Sequence, residues 1–92
     1  MSDNLLEVFE GDPVEKWGDV ILHASQKPVR AELERLLELQ ALSAFLLEEV
    51  GLEERLEDLL KQCKFDQALQ ARVQAKKIDL VMTSMANILG HE

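Results

Sequence analysis

Apolar positions in this 92-residue chain recur at spacings of three and four, the period at which side chains share one face of an α-helix. The first run is Leu5, Val8 and Phe9. Asn4 and Glu7 stand before and within it in the form of a capping box, and Gly11 closes it. This predicts a short helix over residues 1–10. The second run opens with Asp12 as a cap, Pro13 at the first helical position and Glu15 completing the box. Val14, Trp17, Ile21 and Ala24 then form one stripe, and Lys16, Asp19, His23 and Gln26 form another. The pattern is an amphipathic helix of about three or four turns. Gly18 weakens it by about 1 kcal/mol relative to Ala and marks a place where another helix approaches closely.

The third run follows a break. Proline pushes the residue before it out of the α region, so the next helix is read over residues 28–50, starting at Pro28. Its leucines, with Ala41, Ala44 and Phe45, cover most of the circumference after Leu36. A helix apolar nearly all round is normally buried on several sides. The pattern therefore predicts a central helix with Leu37, Ala44 and Leu47 buried, and Trp17 and Ile21 packed against them.

Gly51 is a C-terminal cap signal. Leu52, Leu56, Leu59, Leu60 and Cys63 then make one stripe. A second seam reads Ala68, Ala71, Ala75, Ile78, Met82, Met85 and Leu89, with Leu69, Val73, Leu80, Val81 and Ile88 as further apolar positions. The step from Cys63 to Ala68 fits neither helical spacing. A break near Lys64 to Asp66, with Asp66 as the next N-cap, accounts for it; one long kinked helix over residues 52–89 is the alternative. Gly90 ends the last run. The expected fold is all-α: a single domain over residues 1–92, built as a small antiparallel bundle of about four main helices plus the short N-terminal one.

Composition agrees with helices. Hydrophobic residues are 47% of the chain and charged residues 30%, with no Tyr, one Trp and six Gly and Pro together. That is enough apolar content to fold, and too few β-branched, aromatic and turn residues for a sheet protein of this size. The net charge is −8, a field that repels phosphate backbones and anionic lipid. It is unevenly spread. Residues 1–60 hold fifteen acids and five bases, whereas residues 61–92 hold three acids and five bases. A lone cysteine, Cys63, gives no internal disulfide. No apolar run approaches the roughly 20 residues of a membrane span, and the first twelve residues lack the pattern of a secretion signal. A soluble cytoplasmic protein is expected.

Catalysis needs a converging nucleophile, base and oxyanion donors, or a metal. The four glycines form no phosphate loop, and there is no His-Glu-x-x-His and no cysteine pair. His23 falls on a polar stripe, and His91 is next to last in the chain. Glu48, Glu49, Glu53, Glu54, Glu57 and Asp58 gather around Gly51, where solvated faces explain them better than a metal. No enzyme, cofactor or metal is therefore expected. The expected function is a small protein–protein interaction module (an adaptor, an assembly subunit or a regulator) that binds a protein partner or forms a homodimer. Its surplus of apolar faces exceeds what one short bundle can bury. The candidate contact residues are Leu80, Val81, Met82 and Met85, with Arg72, Lys76 and Lys77 beside them. The alternative is a nucleic-acid-associated regulatory factor using the basic stretch 61–77. The overall charge and the shortage of aromatics other than Phe65 weigh against it.

Overall fold

The computed structural model describes residues 11–90; the helix expected over residues 1–10 and His91 lie outside them. Four helices follow in order: α1 (Pro13–His23), α2 (Gln26–Val50), α3 (Glu53–Gln62) and α4 (Gln67–Leu89). The fold is all-α, as the periodicity predicts.

Local chemistry sets most of the boundaries. Asp12 caps α1, its carboxylate accepting from the Val14 N–H at 3.0 Å, with Pro13 at the first helical position. Gly51 ends α2 at φ 71° in the left-handed region. There the Leu52 N–H donates to the Leu47 carbonyl and the Gly51 N–H to the Glu48 carbonyl, the paired bonds of a Schellman stop. Residues 52–89 form two helices rather than one. Asp66 caps α4 by accepting from the Leu69 N–H at 3.0 Å, and its other oxygen accepts from Gln62 Nε2 at 2.7 Å. One boundary differs from expectation. α2 begins at Gln26, so Pro28 occupies its third position. The first N–H groups of a helix have no intrahelical acceptor in any case, so a proline there removes no bond.

The helices do not close into a four-helix bundle. The main packing is α1 on α4 and α2 on α4. Grooves between α1 and α4 place Pro13 and Lys16 near Met82, and His23 and Ala24 near Leu89, so those two segments run side by side in the same direction. Where α1, α2 and α4 meet, Val29, Val81 and Ile88 are buried together with Glu32 and Ser84. Farther out, the second half of α2, α3 and the first half of α4 make an open frame. The Cα radius of gyration of the chain is 15.8 Å, against about 12 Å for a compact chain of this length.

Three expectations are corrected here. The second half of α2 is not the core: Leu37 is 70% exposed and Phe45 58%, Ala44 is exposed and Leu47 only half-buried. Trp17 reaches α4 rather than that part of α2. Gly18 has no atom within 4 Å of where a Cβ would stand, so no helix crosses closely there. Periodicity shows how many apolar sides a helix has, but not whether one chain supplies enough neighbours to cover them.

Candidate functional site

Two features stand out, one polar and one apolar. The polar one ties three helices together. Trp17 on α1 donates its indole N–H to Ser84 Oγ on α4 at 2.9 Å. Glu32 on α2, only 4% exposed, takes a hydrogen bond from Asn87 Nδ2 at 3.0 Å. Arg35, one turn along α2, donates through Nε and Nη2 to the two Glu32 oxygens, both at 2.7 Å. This is the fork geometry that binds a carboxylate most strongly. The Arg35 guanidinium is the main cause that holds the Glu32 carboxyl down at about 2; Ser84 and Asn87 assist, and burial opposes them. The same pairing raises Arg35 above its ordinary range. Among the described residues no buried side-chain nitrogen or oxygen lacks a partner, so this small core is fully satisfied.

None of these polar contacts was foreseen. Ser84 stands between Val81 and Ile88 at spacings of three and four, which identifies the buried stripe of α4 once that stripe is chosen over the Met82–Met85–Leu89 seam. The two stripes lie about one residue apart in register. Composition does not rank them, since both are apolar.

The apolar feature is the open frame. Leu37, Leu39, Leu42, Phe45, Leu46 and Val50 on α2 stand exposed, as do Leu52, Leu56, Leu60 and Phe65 beyond it. Between α2 and α3 lies a cleft of about 370 Å³, lined by Ala44, Leu47 and Leu56 and by Glu48, Glu53 and Glu57. The accessible surface totals 7663 Å², whereas a compact monomer of this mass exposes about 5,400 Å².

The predicted contact residues divide between the two features. Leu80 is 63% exposed and Met82 47%, and Met82 and Met85 line the groove against α1. Arg72, Lys76 and Lys77 are exposed along the first half of α4. Val81 is buried, which corrects its placement among the contact residues: it belongs to the core, about 100° round the helix from Leu80. His23 is exposed, its Nδ1 2.8 Å from the Asp19 carbonyl oxygen. The six acids around Gly51 are exposed. Among the described residues no group of three or more His, Cys, Asp or Glu is placed to hold a metal ion, and no helix is long and apolar enough to cross a membrane.

No curated protein matches the sequence. Residues 9–92, nearly the whole chain, match a family described as Domain of unknown function (DUF2018), and the chain belongs to that family.

Proposed function

We propose that this protein is a non-enzymatic helical interaction module of the cytoplasm, acting as an adaptor, assembly subunit or regulator, and that its first partner is a second copy of itself. The observation that supports this reading is the exposed apolar face of α2 and α3. Leucine and phenylalanine side chains on consecutive turns of a rigid helix favour association over exposure to water. Charge favours a protein over a nucleic acid. The −8 net charge opposes phosphate, and the bases Lys61, Lys64, Arg72, Lys76 and Lys77 suit the acidic corner around Gly51 of a second copy or of a partner.

The test is the mass of the purified protein by light scattering across a dilution series. A dimer mass at micromolar concentration is the expected result. A monomer mass at the highest concentration would remove the reading. Steep loss of a nucleic-acid complex with added salt would instead point to phosphate contacts through residues 61–77.

A further inference from the structure

We infer that the Glu32–Arg35–Ser84–Asn87 cluster is a positioning device that fixes one angle and register between α2 and α4, and so decides which shape the open apolar frame presents to its partner. The functional consequence rests on the reading of the frame as an interaction surface; the positioning itself does not.

The argument starts from where polar groups are placed. Five side chains are buried among the described residues, and two of them, Glu32 and Ser84, are polar. Stability alone does not require polar groups there, because replacing a buried ion pair with well-packed apolar residues is often neutral or stabilising. What an apolar contact lacks is direction. The α2–α4 contact otherwise depends on aliphatic packing around Val29, Val81 and Ile88, and hydrophobic attraction tolerates sliding and rotation. Hydrogen bonds do not. Asn87 Nδ2 meets Glu32 Oε1 at 3.0 Å, and Arg35 grips both oxygens of the same carboxylate at 2.7 Å. A shift of one residue along α4 would move Asn87 by about 1.5 Å and turn it by about 100°, leaving the carboxylate short of a donor. The Trp17 bond to Ser84 at 2.9 Å fixes α1 to the same point.

Position along the helices gives this register its leverage. The cluster sits at the end where α1, α2 and α4 meet, and α2 runs on for fifteen residues past Arg35 to Val50. At about 1.5 Å per residue, a small change of angle at the cluster moves the far end by several ångströms. The leucines between Leu37 and Val50 are carried with it. A polar group buried at a single seam position sets register in helical assemblies in the same way.

The experiment measures the angle directly in the full-length chain. Cys63 is replaced by Ser, and spin labels are placed at Ser43 on α2 and Ala71 on α4, both exposed. Labelled chains are diluted with unlabelled ones, so that only distances within one chain are read. The unaltered cluster should give one narrow distance distribution. The variant carrying Glu32→Leu, Ser84→Ala and Asn87→Leu should keep its helix content, while its distribution splits or widens by about twofold, as expected when a register device is lost. If that variant does not fold, Asn87→Leu alone, which keeps the Arg35 bonds to Glu32 and the Trp17 bond to Ser84, should widen the distribution in the same direction. A folded variant with an unchanged narrow distance, whatever its melting temperature, would overturn the inference and leave the cluster a purely stabilising role. This readout does not need a dimer, so a strictly monomeric protein would remove the proposed self-association without deciding the role of the cluster.

Discussion

Trp17 and Ser84 lie 67 residues apart in sequence, and the indole N–H of the first meets the hydroxyl of the second at 2.9 Å. Ser84 is buried beside Val81, Ile88 and Glu32, so the single tryptophan reports on the junction of α1, α2 and α4. Ser84→Ala should leave the indole N–H partly buried without an acceptor, at a cost of about 1–3 kcal/mol. Urea unfolding followed by tryptophan emission measures it. An unchanged midpoint would show that water replaces the hydroxyl.

Acid should loosen this junction in a defined window. The Glu32 carboxyl is held at about 2, below its ordinary 4.5. A depressed folded-state value means that the charged form is the one stabilised. The contribution is therefore complete above pH 4.5 and declines as the pH falls toward 2; solvent reaching Arg35, which is 39% exposed, screens it to a full size on the order of 1–2 kcal/mol. Glu32→Gln should be less stable than the parent at pH 7, and the difference between the two should shrink steadily below pH 4.5. Parallel unfolding curves at pH 7, 4 and 3 test this, since the other carboxylates titrate equally in both proteins.

Adjacent positions on α4 should respond oppositely to the same change. Val81 is 8% exposed and Leu80 63%. Val81→Asp places a charge at a buried position, where desolvation opposes it, and should abolish the cooperative unfolding transition. Leu80→Asp should keep the transition. Circular dichroism melts of the two variants make the comparison.

The exposed stripe of α2 should govern mass rather than helix formation. Ala44→Asp and Phe45→Asp introduce charge at exposed positions. Both should lower the average mass in light scattering at concentrations where helix content by circular dichroism is still that of the parent. Loss of helix with no change in mass would contradict this.

Two glycines give opposite predictions from the backbone alone. Gly18 lies inside α1 with open space around it, so Gly18→Ala should stabilise by about 0.5–1 kcal/mol. Gly51 also has open space, but its φ is 71°. There an alanine is strained, and Gly51→Ala should cost about 1 kcal/mol. Thermal melts read both signs.

What the sequence determined by itself was the set of elements and most of their ends. Asp12 with Pro13, Gly51, and Asp66 after the five-residue step from Cys63 each act within about one helical turn, so their effect is complete in the local chain. What only the tertiary structure decided was which apolar stripe turns inward. α4 carries two stripes, and the choice of Val81, Ser84 and Ile88 over Met82, Met85 and Leu89 depends on where α1 and α2 lie. The burial of Glu32 has the same origin. On its own helix it is an ordinary glutamate three residues before an arginine, and it becomes a core residue because α4 covers it from the far end of the chain and Asn87 brings a donor that makes burial tolerable. The leucines after Leu36 are the reverse case: their pattern is that of a core, and they stand exposed because hydrophobicity selects burial without specifying which chain provides it.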